Sequence, residues 1–166
     1  MNFKNKLEHY AGEACKMLFP IHINTFKGHG SNVSLCTLSS IDLLIKISNL
    51  EIMHDLLIAG RLHSEKKGID QMIDFCINNP QLKYVILCGK DTKGHYSGDA
   101  LISLIKNGID INGKILGTIA PSPFICSNKE NVTKFKNQVS IIDMRNSVDI
   151  DKISETVNRF SCYLFY

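Results

Sequence analysis

The sequence predicts an α/β fold, a Rossmann-like three-layer domain with a mainly parallel sheet flanked by helices. Two observations carry this. Short apolar runs alternate with amphipathic segments along most of the chain, an order that builds strand–helix–strand units with right-handed crossovers. One run, KYVILCG at 83–89, is apolar almost throughout, as a parallel strand covered on both faces has to be.

In chain order, segment 3–18 places Leu7, Ala11, Ala14, Cys15 and Leu18 near helical spacing, which predicts a helix. Segment 19–32 holds Pro20, Gly28 and Gly30 and reads as loop. VSLCTL (33–38) reads as a strand, and SSIDLLIKISNL (39–50) receives no assignment. HDLLIAG (54–60) is an apolar run closed by glycine. GIDQMIDFCIN (68–78) sets Ile69, Met72, Ile73, Cys76 and Ile77 on one helical face, and Asn78, Asn79 and Pro80 suit its end. After the strand at 83–89, GDALISLIKNG (98–108) reads as a helix stopped by Gly108, and KILGTI (114–119) as a strand. KENVTKFKNQV (129–139) is a helix, SIIDMR (140–145) a strand, and DIDKISETVNRF (149–160) a last helix with Asp149 as N-cap. No repeat or linker interrupts the chain, so residues 1–166 read as a single domain, with 1–31 as an N-terminal helix and loop.

Composition excludes several functions. A chain of 166 residues is long enough for one domain with its own core. A net charge of +3 with lysines spread along the chain gives no argument for nucleic acid. The cysteines at 15, 36, 76, 88, 126 and 162 form neither a C-x-x-C pair nor a zinc spacing, and read as buried reduced thiols. The N-terminus is too polar for a secretory signal, and no apolar stretch nears the ~20 residues of a membrane span. The expectation is a soluble, cytoplasmic protein with no direct membrane span.

Ligands of such sheets bind at the carboxyl ends of strands. That rule selects three loops: GRLHSEKKG (60–68), GKDTKGHYSG (89–98) and APSPFICSN (120–128). No G-x-G-x-x-G follows a strand, and no P-loop or nucleophile elbow is present. No paired carboxylates point to acid–base hydrolysis, and no catalytic residue is assigned. Gly89, Gly94 and Gly98 would let a backbone approach a ligand. Pro121 and Pro123, around Ser122, stiffen a loop suited to a wall. His63 lies beside Ser64 and Glu65, and Ser64 is equally suited to capping the next helix. His95 holds the strongest position. Its imidazole suits a borderline metal, with Asp91, Ser97 or Asp99 as local acceptors for its other ring N–H. One histidine is a poor site for a bare ion, but it suffices when the metal already carries equatorial ligands in a macrocycle. A surface histidine capping its loop is the open alternative.

Several blocks, taken together, resemble the A subunit of tetrahydromethanopterin S-methyltransferase. They are IAGRLHSEKKGIDQMI, INNPQLKYVILCGKDTKGHYSGDALISLIKNGID and GKILGTIAPSPF, within 32–153. The resemblance implies a Rossmann-like domain carrying a cobamide (cobalamin or 5-hydroxybenzimidazolyl cobamide), with His95 as the lower axial ligand of cobalt. The expected cofactor contacts are Gly60, Ser64, Glu65, Gly89, Gly94, Tyr96, Ser97, Gly98, Gly117, Pro121, Ser122 and Pro123. It also implies a methyl carrier, not catalytic alone, working with other methyltransferase subunits. The methyl group comes from methyltetrahydromethanopterin and passes to coenzyme M or another thiol. The alternative is a soluble homologue that binds a cobamide or other small ligand without methyl transfer in the sodium-pumping complex. The chain departs from the family pattern at Arg61–Leu62 and Lys66–Lys67. It also has Lys93 where methionine-synthase-type domains carry the aspartate of D-x-H-x-x-G. Members of the membrane complex have a C-terminal hydrophobic anchor, for which ISETVNRFSCYLFY is too short.

Overall fold

A computed structural model describes residues 25–62 and 64–162. The helix expected at 3–18, the loop residues 19–24 and His63 lie outside the described residues. Among the described residues, five strands form one sheet in the order β1-β3-β2-β4-β5. They are β1 (Thr25–Lys27), β2 (Val33–Cys36), β3 (Ile58–Gly60), β4 (Tyr84–Leu87) and β5 (Ser140–Asp143). The four strands β3, β2, β4 and β5 run parallel, and β1 pairs antiparallel on the β3 edge. The sheet is therefore mixed but mainly parallel.

Helices cover both faces, as the expected alternation requires. One face carries α2 (Lys67–Asn78), α3 (Ser97–Asn107) and α4 (Lys129–Gln138). The other carries α1 (Ile41–Ser48), a 3-10 turn (Glu51–His54) and α5 (Ile150–Ser161). The residues of β4 divide between them. Val85 and Leu87 join Ile69, Ile73, Leu101 and Phe135 in one core. Ile86 joins Leu44, Ile47, Ile153 and Val157 in the other. That two-sided burial is why YVIL is apolar at every position, and each such side chain contributes about 1.5–3 kcal/mol when fully buried.

The helix ends follow the sequence signals. Asp149 accepts from Lys152 N at 3.2 Å and Asn128 from Asn131 N at 2.8 Å, both as N-caps. Gly108 closes α3 at φ 75°. The α2 end is finished from a distance: Gln138 Nε2 donates to Cys76 O, Asn79 O and Leu82 O.

Four expectations change. The unassigned 39–50 holds α1, whose Leu43, Leu44 and Ile47 are buried on one face. The expected loop at 19–32 contains β1, too short to show a period. Only Ile58–Gly60 of the run at 54–60 is strand, because Glu51–His54 turns first. The strand expected at 114–119 does not form. Gly113 and Gly117 sit at φ 78° and 76°, outside the extended region, and only the isolated bridges Ile109–Ile115 and Lys114–Phe124 remain. Residues 109–128 instead form a strap across α3 and α2.

Among the described cysteines, Cys36, Cys76 and Cys88 are buried free thiols, whereas Cys126 and Cys162 are exposed. No described helix is long and apolar enough to cross a membrane.

Candidate functional site

The chain leaves β2 toward β3 on one side and returns past β2 to β4 on the other, so the topological switch lies between the carboxyl ends of β2 and β4. The loops there are stitched together. Ser39 Oγ donates to Lys90 O at 2.6 Å, Lys90 N donates to Ser40 Oγ at 2.9 Å, and the Thr92 hydroxyl bonds that of Ser39. Gly89, at φ 73°, is the junction: a Cβ there would lie 2.4 Å from Thr37 O. The loop after β5 joins at the same residue, with Gly89 N donating to Ser147 O and Asn146 N to Gly89 O, each at 2.7 Å. The open side of Gly89 thus receives neighbouring protein backbone.

Beyond Thr92 the loop becomes a short arm bearing His95. Its base is held by His95 N and Tyr96 N, both donating to Thr92 O. Its far end is fixed by buried Ser97, whose Oγ donates to Leu62 O at 2.7 Å. Two residues at positive φ shape the arm: Gly94 (102°), with no atom within 4 Å of a built Cβ, and Tyr96 (48°), a rare conformation for an aromatic residue. The His95 side chain is 47% exposed, and its Nδ1 stands 3.4 Å from Oε2 of Glu65, a carboxylate only 8% exposed. Glu65 reaches across from the neighbouring loop, whereas the three local candidates are committed elsewhere. Ser97 binds Leu62, Asp91 accepts from Gly98 N and Asp99 N at the start of α3, and Asp99 turns to the strap.

Arg145, after β5, gathers the acidic groups of this edge. Its Nε and Nη2 meet Asp143 at 2.9 and 3.0 Å, and Nη1 lies 3.5 Å from Asp91 and 4.0 Å from Asp99. Desolvation alone would raise the Asp143 carboxyl, but the hydrogen bonds and charge of Arg145 outweigh it and hold the group below its usual value. Asp143 in turn raises the Arg145 guanidinium. Gly98 is the close-approach position here: a Cβ would meet Arg145 Cδ and Asp91 Oδ2 at 2.9 Å. A cleft of about 380 Å³ opens beside the cluster, lined by Asp91, Tyr96, Asp99, Ile119, Asp143, Arg145 and Asn146.

The strap is fastened to the same edge. Asp99 accepts from Thr118 Oγ1 at 2.6 Å and Ile119 N at 2.9 Å, and Asp70 of α2 accepts from Cys126 N and Ser127 N. Of the expected site residues, Glu65 and His95 come together directly, and Tyr96, Ser97 and Gly98 complete the arm and the helix start behind it. Ser64 Oγ accepts from Gly68 N at 3.2 Å, within the first turn of the next helix. Gly60 ends β3 and pairs with Cys36 of β2. Gly117 sits over α3, where a Cβ would lie 2.5 Å from Asn107 Nδ2. Pro121 and Ser122 are exposed on the strap and Pro123 is buried. A larger cleft, about 560 Å³, lies between 109–113 and 125–129 and holds none of these residues.

Sequence reasoning missed Arg145 and Asp143, which carry no motif. It also missed the pairing of Glu65 with His95, since the two stand on different loops. The available signal was the strand order, which sets the loops after β3, β4 and β5 along one edge.

The MtrA family model, that of the A subunit of tetrahydromethanopterin S-methyltransferase, matches residues 26–162. The A subunit of this enzyme from Methanocaldococcus jannaschii is 37% identical over 102 residues, 60% of this chain and 42% of that protein. Its counterpart from Methanosphaera stadtmanae is 37% identical over 103 residues, 61% and 41% of the two chains. The A subunit of the putative methyltransferase Mtx of Methanosarcina acetivorans is 32% identical over 123 residues, 74% of this chain and 62% of that one. The chain thus spans less than two thirds of the length of each of these relatives. With a family match running from β1 to the end of α5, the chain belongs to the MtrA family, the A subunits of tetrahydromethanopterin S-methyltransferase.

Proposed function

We propose that this chain holds a cobamide at the carboxyl edge of its sheet, with His95 as lower axial ligand, and serves as the methyl-carrier subunit of a methyltransferase. The observation that carries the reading is the His95 arm. A half-exposed imidazole stands beside Gly94, whose side of the chain is open, so a broad flat group has room to approach. Among the described residues no group of three or more His, Cys, Asp and Glu is placed to hold a bare ion. One imidazole is enough for a metal that brings its own equatorial ligands, and imidazole is a common ligand of the borderline transition metals. The bound cobamide supplies a cobalt centre that takes up and releases a methyl group.

The chain's own part is to hold and orient. Asp91 and Ser97 fix the two ends of the arm, so that His95 is presented from a rigid base. The strap, tied down through Asp99, supplies a wall with exposed Ile119, Leu116 and Phe124. In this reading the methyl donor is methyltetrahydromethanopterin and the acceptor coenzyme M or another thiol, with other methyltransferase subunits as partners in the cytoplasm. The match to the Mtx relative, which covers more of the chain, favours testing other donors and acceptors as well.

The experiment is reconstitution with aquocobalamin, removal of unbound cofactor, and reduction to cobalt(II). Electron paramagnetic resonance is expected to show one strongly coupled axial nitrogen, moving with ¹⁵N-histidine labelling and absent from His95→Ala. Assignment of that nitrogen to the cofactor's benzimidazole, or failure to retain a coloured cofactor, would overturn the reading.

A further inference from the structure

We infer that Arg61 is a phosphate-binding residue: its guanidinium takes the phosphate of a cobamide's nucleotide tail, beside the His95 arm. The inference rests on the proposed cobamide site and adds to it a cation that holds the tail.

Arg61 directly follows β3, at the carboxyl edge of the sheet. It is partly buried, and the hydrogen bond it makes among the described residues runs from Nη2 to Ser39 O at 3.3 Å. Nε is buried and has no hydrogen-bond partner. Among the described residues no carboxylate pairs with the guanidinium, and burial lowers it from its usual value. The other two arginines of the chain are placed differently. Arg145 stands against three carboxylates, and Arg159 lies over the Phe160 ring. A charge that has lost water without gaining a counter-ion is costly, and a guanidinium in that state is fitted to an anion that matches its fork, as phosphate does.

The surroundings select the same sign of ligand. Lys66 and Lys67 of this loop, and Lys90 and Lys93 of the loop after β4, are exposed. The acidic neighbours are turned elsewhere: Glu65 faces His95 Nδ1, and Asp91 accepts from Gly98 N and Asp99 N. The place also fits a tail. Ser39, which accepts from Arg61, donates its hydroxyl to Lys90 O and bonds the Thr92 hydroxyl, and Thr92 O holds the base of the arm. Arg61 is thus linked to the arm through Ser39 and Thr92. A cobamide's phosphate hangs from the corrin rim on a short flexible linker, so it is met to the side of the metal. The junction of β2 and β4 offers no alternative seat, because the open side of Gly89 is filled by backbone. Arg61 also stands where the chain departs from the family pattern, so this contact is particular to the chain.

Two corrinoids isolate the phosphate: cobinamide, which lacks phosphate and base, and cobinamide phosphate, which lacks only the nucleoside. Titration of the full chain, followed by visible absorption, gives each dissociation constant. The parent is expected to bind cobinamide phosphate about 10-fold more tightly than cobinamide, the worth of one charge-assisted contact. Arg61→Gln is expected to abolish that preference and leave cobinamide binding unchanged. Arg61→Lys, which keeps the charge without the fork, is expected to restore part of it. An equal preference in the parent and in folded Arg61→Gln overturns the inference. If the variants do not fold, lack of any preference in the parent overturns it.

A second arm uses inorganic phosphate and no corrinoid. The chain holds three arginines, and with ¹⁵N-arginine labelling the Nε–H of Arg61 is identified by its loss in Arg61→Lys. Phosphate, compared with chloride at equal ionic strength, is expected to move that resonance and leave those of Arg145 and Arg159 in place. A shift without any preference between the corrinoids makes this a site for free phosphate and overturns the tail assignment. Neither shift nor preference overturns the inference altogether. A shift in a parent that retains neither corrinoid leaves the phosphate contact standing and contradicts the proposed function. The two failures are thus read by different measurements.

Discussion

The Asp99 carboxylate, in the first turn of α3, accepts hydrogen bonds from Thr118 Oγ1 at 2.6 Å and from Ile119 N at 2.9 Å, and so helps fasten the strap to the helix behind His95. Removing it leaves two donors without their charged partner. Asp99→Ala is expected to cost about 1–3 kcal/mol. Hydrogen exchange is expected to speed up at Ile119 and its neighbours while the β4 amides stay protected, and equal loss of protection in both places would contradict a local role.

Arg145 sets one guanidinium against three carboxylates, and its partner Asp143 is held below the ordinary carboxyl value. A depressed folded value means that the stabilisation is present above the unfolded carboxyl value, near 3.9, and is lost as pH falls below it. The melting temperature of the parent is expected to drop between pH 5 and pH 3. In Arg145→Ala it should start lower and lose part of that acid dependence. An unaltered acid profile in the variant would show that the ion cluster does not contribute.

Two glycines of the arm separate close packing from backbone freedom. At Gly98 an added Cβ meets Arg145 and Asp91 at 2.9 Å, so Gly98→Ala strains the cluster at a cost of about 1–3 kcal/mol. At Gly94 nothing lies within 4 Å, and only the φ of 102° resists a side chain. Both variants are expected to melt lower, by roughly 2–4 °C per kcal/mol, but only Gly98→Ala should weaken the acid dependence tied to Arg145.

Burial pushes the Cys36 thiol from 9.0 up to about 12, drives Cys76 equally far, and raises Cys88 further. These folded values lie above the unfolded one, so the contribution is complete below pH 9 and disappears progressively toward pH 12. Alkylation followed by mass spectrometry is expected to mark Cys126 and Cys162 in the native protein, and Cys36, Cys76 and Cys88 only after unfolding. Early labelling of Cys88 would place that strand end nearer solvent than the fold does.

The alternating layers were legible because each parallel strand buries both faces, and KYVILCG shows that burial residue by residue. The segment at 114–119 looked the same over a short window. Its outcome was decided by Gly113 just before it and Gly117 within it, both at positive φ, and by having no partner strand among the described residues, which a local pattern does not record. SSIDLLIKISNL has helical spacing in Leu43, Leu44 and Ile47, hidden by its richness in β-branched and apolar residues. His95 stood out because its loop is short and glycine-flanked. Glu65 reaches it only through the order of the strands, and Arg145 only through the return of β5 to the same edge.

The stitching of Ser39 and Ser40 to Lys90 has one more consequence. In many open α/β folds a ligand wedges between diverging loops and is freed when they part. Here the gap between the loops after β2 and β4 is closed by protein, so a broad ligand held at His95 as proposed would rest on the rim with its outer face toward solvent. A second protein could then reach that face without any breathing of the sheet. Under the proposed function, exchange of cargo between successive partners would be a question of docking order, set by who arrives and not by how often the fold opens.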